Sequence, residues 1–362
     1  TVSATANTQE VTTFRSAVAA EPQVWRADVQ RAIFEQGPSG WQRGWGLNAA
    51  ALTGDTLAIV APDPPEASLW TLRGYSGSAE VALVSDFVQQ SSKLAILGWF
   101  RPAPDQPWTP TTGFGSDPWE QASAAGHVGG LWLVAGGRQA QISRDLVEQA
   151  MIWYSTDGIT WARAEGDFAQ EDRASRIVGF CAAPDGRRAA VGYVTTAKNE
   201  RNAALWIEQE GHWQRAELPT DAGRTSAFAT CVEVAGTLVI NGSLGAGTRQ
   251  WSWAPDGGFT ELDPPSVDRS GTREFRNVTA VPGGYLAVGR LDATAYTGPV
   301  IWLSADGDSW TWLPLPVNRP DAGALASAIG NDLLVMTSST TSSQAWRIRD
   351  IATVIAALPA ES

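Results

Sequence analysis

The sequence predicts an all-β protein, a seven-bladed β-propeller made of four-stranded antiparallel blades. Three observations favour this fold. The 362 residues include 18 tryptophans, and 36 glycines and 21 prolines supply many turns. An apolar strand, a strand with Trp, a tight turn and a second aromatic strand recur about every 50 residues. Six blades are the alternative, in which residues 47–120 form one irregular blade.

The repeated unit is clearest where two aromatic residues flank an Asp-Gly turn. Trp153 and Trp161 are eight residues apart, as are Trp302 and Trp310. Less regular copies carry Trp206, Trp213, Trp251 and Phe259. Asp-Gly supplies the positive φ angles of a tight hairpin. Since a further short apolar segment precedes the unit, each blade is expected to have four strands.

Closure of the ring is assigned to an N-terminal strand. The last unit, residues 322–350, is one strand short, and GWQRGWG at 40–46 is similar to HWQRAEL at 212–218. An open ring would expose two blade edges, which favours an N-terminal strand that completes the last blade. The propeller is therefore predicted over residues 40–350.

The two ends of the chain are predicted to lie outside the blades. Residues 1–39 are expected to form a tether with a short helix, because Trp25, Val29 and Ile33 fall on one helical face. Residues 351–362 are expected to form a docked C-terminal segment.

The charge balance excludes some partners. Lys and Arg total 26 and Asp and Glu total 38, so the net charge is −12. This balance argues against nucleic acid as the partner. The sequence has no apolar run long enough for a transmembrane segment. The first residues, TVSATANTQE, resemble a mature terminus left after processing. We therefore expect an exported chain, extracellular or in the cell envelope and tethered like a lipoprotein.

The chain has two cysteines, Cys181 and Cys231. Each lies eleven residues before a glycine that ends a strand, Gly192 or Gly242, so both occupy one register in adjacent inner strands. Proximity favours a disulfide, whereas the shared orientation of equivalent positions opposes one, and both outcomes stay open. Two cysteines and two distant histidines do not make a zinc site, so neither a metal nor a cofactor is expected.

The turns of the repeat carry a motif. Residues 155–161 and 304–310 both match S-x-D-G-x-x-W and resemble the Asp box, or BNR repeat, of sialidase-type propellers. The motif positions are Ser155, Asp157, Gly158, Trp161, Ser304, Asp306, Gly307 and Trp310. Over roughly residues 40–350 the pattern resembles the exported Trp-rich propellers of GC-rich Gram-positive bacteria. The motif is expected to be structural, because its Ser and Asp accept backbone hydrogen bonds and its Gly adopts a left-handed conformation.

Sialidase activity is the enzymatic function that this resemblance suggests, and the residues argue against it. The family carries an early Arg-Ile-Pro motif, an arginine triad and a Tyr–Glu nucleophilic pair. Here Arg176-Ile177 precedes Val178 in mid-chain, and no tyrosine is placed as a nucleophile. His127 and His212 are expected to be structural, and the other common catalytic motifs are missing from the sequence. We expect no catalytic residues and no enzyme activity.

An Asp and an Arg recur in four consecutive blade junctions, QEDRASR, PTDAGR, VDRSGTREFR and VNRPDAG. One interpretation is ion pairing between blades. The other is an Arg-containing rim on the face where propellers usually bind, which would take a protein segment or an anionic glycan. The two are compatible. The candidate binding residues are Arg173, Arg176, Arg224, Arg269, Arg273, Arg276 and Arg319.

The functional expectation is a non-catalytic, exported interaction or assembly module that binds a protein partner through these loops. An accessory subunit of a membrane-bound envelope complex would have these properties. The alternative is a glycan-binding or glycoside-hydrolysing relative of the sialidases. If the arginines only brace the blades, two long loops, residues 101–117 and 136–150, are the next candidates for docking.

Overall fold

The structure is a computed structural model in which nearly all regular elements are strands. It describes residues 9–21, 24–37, 40–53, 56–61, 72–76, 79–88, 93–103, 106–114, 120–142, 145–168, 174–195, 200–219, 227–234, 236–244, 247–256, 258–262, 271–293, 296–307, 309–315, 323–329, 331–338 and 343–358. Four of the seven candidate rim residues, Arg173, Arg224, Arg269 and Arg319, lie outside these ranges.

The described strands form seven sheets, numbered here in chain order. Sheet 1 contains β1 (Gln9–Glu21), β2 (Val24–Gly37), β3 (Gly40–Thr53) and β4 (Thr56–Ala61). Sheet 2 contains β5 (Leu72–Ser76), β6 (Ala79–Val88), β7 (Lys93–Arg101) and β8 (Thr109–Pro110). Sheet 3 contains β9 (Glu120–Val128), β10 (Leu131–Ile142), β11 (Asp145–Ser155) and β12 (Ala162–Arg163).

The remaining sheets follow the same plan. Sheet 4 contains β13 (Glu165–Gly166), β14 (Ser175–Ala182), β15 (Arg188–Thr195), β16 (Arg201–Gln209) and β17 (His212–Arg215). Sheet 5 contains β18 (Ala227–Val234), β19 (Thr237–Leu244), β20 (Gly247–Trp253) and β21 (Phe259–Leu262). Sheet 6 contains β22 (Gly271–Val281), β23 (Gly284–Ala293), β24 (Tyr296–Ser304) and β25 (Thr311–Pro314). Sheet 7 contains β26 (Gly323–Ile329), β27 (Asp332–Ser338) and β28 (Ser343–Ile348), and helix α1 (Ile351–Ala356) follows it.

Strands that are neighbours in sequence are neighbours in each sheet, and they pair in antiparallel fashion. The predicted four-stranded antiparallel unit is therefore present. Sheet 4 has one addition, because β13 pairs in parallel with β17, with Glu165 opposite His212. The chain thus leaves sheet 3, adds two residues to the outer edge of sheet 4, and only then enters sheet 4 at its other edge.

The chain divides into two compact units, one of Thr1–Leu69 with Pro265–Ser362 and the other of Trp70–Pro264. In the second unit, Leu133 and Ile152 of sheet 3 pack with Ile177 and Trp206 of sheet 4. Each of these four side chains is at most 1 % exposed, so each contributes roughly 1.5–3 kcal/mol of burial free energy. The alternating inward residues of the strands thus hold neighbouring sheets face to face.

The first unit places sheets from both ends of the chain together. Strand β1 lies against β26 and β27, and sheet 7 also lies beside sheet 6. Helix α1 buries Ile351 and Ile355 against Leu286 of β23 and Leu333 of β27. The C-terminal residues of the described chain are therefore packed on this unit.

Two expectations for the N-terminal region are wrong. The helix expected within residues 1–39 is absent from the described part, where β1 and β2 are both strands. Trp25, Val29 and Ile33 are spaced by four residues, which suits one face of a helix and equally one face of a strand. Residues 40–46 do not complete the last blade either, because they belong to β3 and pair with β2.

The segment 136–150 is also not the long loop that the sequence predicted. It forms most of the β10–β11 hairpin, in which Gly136 and Gly137 lie within the strand. These glycines are needed for close approach. A Cβ at Gly136 would collide with the carbonyl oxygen of Gln121, and one at Gly137 would lie 2.5 Å from Cγ of Glu148. Segment 101–117 is likewise not a connection from a second to a third strand, because its described part joins β7 to β8.

Candidate functional site

The first S-x-D-G turn is held by hydrogen bonds within itself. The hydroxyl of Ser155 donates to Oδ1 of Asp157 (2.8 Å) and accepts the N–H of Gly158 (2.9 Å). Oδ1 of Asp157 also accepts the N–H groups of residues 159 and 160, both at 2.8 Å. Nε1–H of Trp161 donates to the carbonyl of Gly158 (3.1 Å). The motif therefore closes the turn between β11 and β12.

The second turn repeats this pattern. Ser304 donates to Oδ1 of Asp306 (3.0 Å) and accepts the N–H of Gly307 (2.8 Å). Asp306 accepts the N–H of Ser309 (2.8 Å), and Nε1–H of Trp310 donates to Gly307 (2.8 Å). Both aspartates thus hold the turn backbone, as a structural role requires.

Electrostatics agree with that role at Asp157. The backbone N–H groups of Thr160 and Ile159 favour the ionised carboxylate and lower the pKa of Asp157 to about 2. A carboxyl with this pKa is ionised throughout the physiological range. It is therefore a poor proton donor for glycoside cleavage.

The structure describes three of the candidate rim arginines. Arg176 is the second residue of β14, and its side chain is 39 % exposed. Arg273 and Arg276 lie in β22, opposite Leu291 and Val288 of β23. Both are therefore strand residues, whereas the sequence predicted that they lie in a loop. The first strand of sheet 6 begins earlier than the sequence suggested, because the pairing with β23 extends back to Gly271.

Arg176 forms an ion pair between two sheets. Its Nη1 lies 3.6 Å from Oε2 of Glu148, which belongs to β11 of the preceding sheet. Next to it, Oγ of Ser175 accepts the N–H of Ala150 from β11 (2.8 Å). At this junction, an arginine of sheet 4 thus pairs with a carboxylate of sheet 3, Glu148, which the sequence had not named as a partner.

Two further side chains share the face of sheet 4 that carries Arg176. Tyr193 lies directly opposite Arg176 in the β14–β15 pair, and Ala203 lies opposite Tyr193 in the β15–β16 pair. Because side chains alternate along a strand, Arg201 projects from the same face as Ala203. The guanidinium carbon of Arg201 lies 4.5 Å from the ring centroid of Tyr193. We call the group of Glu148, Arg176, Tyr193 and Arg201 the Glu148 cleft.

Glu148 is held in place by its neighbours. Gly137 leaves the space that the Glu148 side chain occupies, because a Cβ there would lie 2.6 Å from Oε1. The carboxylate is only 25 % exposed. Burial raises the pKa of Glu148, although Arg176 and Arg201 act to lower it. A half-buried acid between two guanidinium groups is typical of binding sites and also of structural ion-pair networks.

Sequence reasoning missed Glu148, Tyr193 and Arg201. The cross-strand register would have found Tyr193, since it faces Arg176 across the first hairpin of sheet 4. No feature of the sequence pointed to Glu148, because it lies in a segment that was expected to be a loop. Its position depends on the regular hairpin that places it over Gly137.

Away from the Glu148 cleft, two other arginines stabilise sheets 2 and 4 through ion pairs and hydrogen bonds. Nε and Nη2 of Arg188 donate to the carbonyls of Val128 and Gly129 (both 3.2 Å), and Arg188 also pairs with Glu208. Nε of Arg101 donates to Glu80 (2.9 Å), and both side chains are at most 2 % exposed. These buried or half-buried pairs stabilise the sheets and leave little guanidinium surface for a ligand.

The two histidines have structural surroundings. The ring of His127 packs edge-on against Trp132 at 5.0 Å, and burial lowers the pKa of His127. Nε2 of His212 lies 3.7 Å from Oδ1 of Asp167. Among the described residues, no group of three or more His, Cys, Asp or Glu side chains could hold a metal ion.

No family model matches the chain, and no curated protein matches it either. Several solved structures, in contrast, are similar to the chain. The propeller domain of the Trilobed protease from Pyrococcus furiosus, which has an open velcro topology, has a TM-score of 0.53 at 8 % identity, covering 93 % of this chain and 95 % of its own. A Hadza microbial sialidase has a TM-score of 0.50 at 12 % identity, covering 90 % and 74 %. An ulvan lyase of polysaccharide lyase family PL25 has a TM-score of 0.53 at 12 % identity, covering 98 % and 100 %.

The fold is that of a β-propeller. Identities this low show the fold alone, because unrelated activities share one architecture. All three structures are enzymes or enzyme domains, but at these identities their activities say nothing about the activity of this chain. None of the described helices has the length and apolar character needed to span a bilayer.

Proposed function

We propose that the chain is a non-catalytic, exported interaction module of the cell envelope that binds a protein partner through one end of its sheets. This binding end is the one that carries Glu148 and Arg176. The observation that carries the proposal is the Glu148 cleft, where two arginines and a half-buried carboxylate meet between sheets 3 and 4. Charged groups arranged in this way select partners by electrostatic complementarity.

The absence of catalysis is part of the proposal. Most glycosidases use two carboxyl groups at a fixed separation on either side of the scissile bond. The Glu148 cleft pairs its one carboxylate with two guanidinium groups. The turn aspartates, Asp157 and Asp306, hold backbone N–H groups at the far end of their strands.

Export is supported by the disulfide between Cys181 and Cys231. Disulfides persist in oxidising compartments and are rare in the cytosol. We propose that the seven described sheets are seven blades of the propeller. We propose that the ring closes by packing of β1 against β26, without a strand shared between the first and last blades.

A second candidate is a glycan-binding or glycoside-hydrolysing relative of the sialidases. The two S-x-D-G turns favour it, because they have the hydrogen bonds that the Asp-box resemblance implies. The similar structures named above as a sialidase and an ulvan lyase also favour it.

Partner capture from native membranes tests the proposal. We expect the full chain to retain a defined protein complex, and reversal of both cleft arginines, Arg176 and Arg201, to Glu to abolish capture at a nearly unchanged melting temperature. Reversal of Arg249, an exposed residue of β20 paired with Glu261 at 2.8 Å, serves as the matched control. Retention of a saccharide with no protein would favour the second candidate. Loss of stability with intact capture would show that the two cleft arginines stabilise the contact between the sheets and do not bind the partner.

A further inference from the structure

The Glu148 cleft has features that select one kind of partner. We infer that it binds a side-chain carboxylate of an extended acidic peptide segment, held by Arg176 and Arg201; this inference rests on the proposed function.

Among the four side chains of the cleft, positive charge exceeds negative charge, although the exposed residue Glu200 directly precedes Arg201 in the chain. The protein carries a net charge of −12, whereas the cleft holds two guanidinium groups and one carboxylate. An acidic segment is repelled by most of this surface and attracted to a local positive excess. Such a pattern sets the register of a bound segment as well as its affinity.

The arginines retain donors for a ligand. Nη1 of Arg176 lies 3.6 Å from Glu148, beyond the range of a hydrogen bond, and the Arg176 side chain is 39 % exposed. Arg201 is exposed, and stacking on Tyr193 fixes its plane. A guanidinium has five N–H donors in a rigid fork, which suits a carboxylate that binds through both oxygens.

The geometry favours a peptide over a sugar. A sugar ring packs on an open aromatic face, and Arg201 covers one face of Tyr193. An extended peptide that adds to a sheet needs a strand edge that is not already paired. Within the described residues, β12 pairs only with Trp153 and Tyr154, so no strand pairs with the outer edge of β11 at Asp145–Gln149. Addition of a strand to an exposed edge is a common mode of peptide binding.

Glu148 acts as an internal competitor in this arrangement. Its carboxylate lies where a ligand carboxylate would meet Arg176, and Gly137 leaves room for it there. Removal of this charge should therefore strengthen the binding of an acidic ligand. Removal of either arginine should weaken it, so the two kinds of substitution have opposite signs.

Fluorescence anisotropy with the full chain and a short labelled oligoglutamate peptide tests the inference. We expect Arg176→Gln and Arg201→Gln each to weaken binding at least about tenfold, because each substitution removes charge-assisted hydrogen bonds to the ligand carboxylate. Glu148→Gln should tighten binding by about three- to tenfold through loss of local repulsion. Arg249→Gln and Glu261→Gln, which alter an exposed ion pair in sheet 5, should leave binding unchanged. Circular dichroism and melting curves confirm that each variant folds.

Three outcomes overturn the inference. The first is that oligoglutamate does not bind, and the second is that it binds all variants equally. The third is that the cleft variants change the binding of polygalacturonate, an acidic polysaccharide, and not that of the peptide. The test is separable from that of the proposed function. If the Arg176→Gln/Arg201→Gln double variant still captures the envelope protein fully, the inference fails and the proposed function stands. If capture fails for every form while peptide binding follows the cleft, the proposed function fails instead.

Discussion

Cys181 and Cys231 are joined by a disulfide that links β14 of sheet 4 to β18 of sheet 5, with their Cα atoms 5.8 Å apart. The sequence placed both in one register of adjacent inner strands but left the bond open. The two strands approach closely enough for the bond despite their equivalent positions. The bond therefore ties two neighbouring sheets of the second unit at their inner strands.

Removal of this disulfide should lower stability substantially. It closes a loop of 50 residues, for which the chain-entropy model gives about 4 kcal/mol. We expect Cys181→Ser/Cys231→Ser to lower the free energy of unfolding in urea by that order. Reduction of the native chain should have the same effect, and an unchanged midpoint in both experiments would contradict the structural role.

Asp157→Ala should act on stability and not on partner binding. Loss of its bonds to two backbone N–H groups should cost about 0.5–2 kcal/mol, as for other side-chain caps. Because the folded-state pKa is lowered to about 2, the stabilisation is present above the ordinary value near 4 and is lost as pH falls towards 2. The free energies of unfolding of the wild-type chain and of Asp157→Ala, measured by urea titration from neutral to acidic pH, should therefore converge as the pH falls. A constant difference across that range would refute the account of this turn.

Gly158→Ala should be more damaging than Gly186→Ala. Both glycines have positive φ angles, 76° and 81°. A Cβ at Gly158 would collide with the ring of Phe100, whereas one at Gly186 would have no atom within 4 Å. The first substitution should cost about 1–3 kcal/mol more, which is the penalty of overpacking. Equal melting temperatures for the two variants would show that the Phe100 contact is unimportant.

Arg101→Met should destabilise more than the double change Glu80→Met/Arg101→Met. The single change leaves the carboxylate of Glu80, which is 0 % exposed, without this guanidinium. Breaking a buried ion pair costs about 3–5 kcal/mol, whereas replacing both partners with apolar residues is often nearly neutral. Thermal melts of the two variants compare them directly, and the opposite order would count against a buried ion pair at this position.

The sequence predicted the strands that recur in each repeat, and it missed the contacts that depend on the register of paired strands. Trp206 and Trp302, which the repeat aligned in its Trp-bearing strands, do lie in strands, β16 and β24, and are fully buried. The segment of β2 has apolar residues spaced by four, and this spacing fits one face of a helix as well as one face of a strand, so the sequence alone favoured a helix. The Glu148 cleft could not be predicted, because Gly137 and Glu148 come together only in a regular hairpin and the sequence predicted a loop over residues 136–150.

Site-specific photo-cross-linking in native membranes tests the central claim, that a protein binds at the Glu148 end of the sheets. A photoreactive residue at Glu200, exposed beside Arg201, probes that end. One at Tyr154, which is 39 % exposed near the first S-x-D-G turn, probes the other end. We predict a protein adduct from position 200 and none from position 154. An adduct from position 154 alone, or none from either position, would contradict the account.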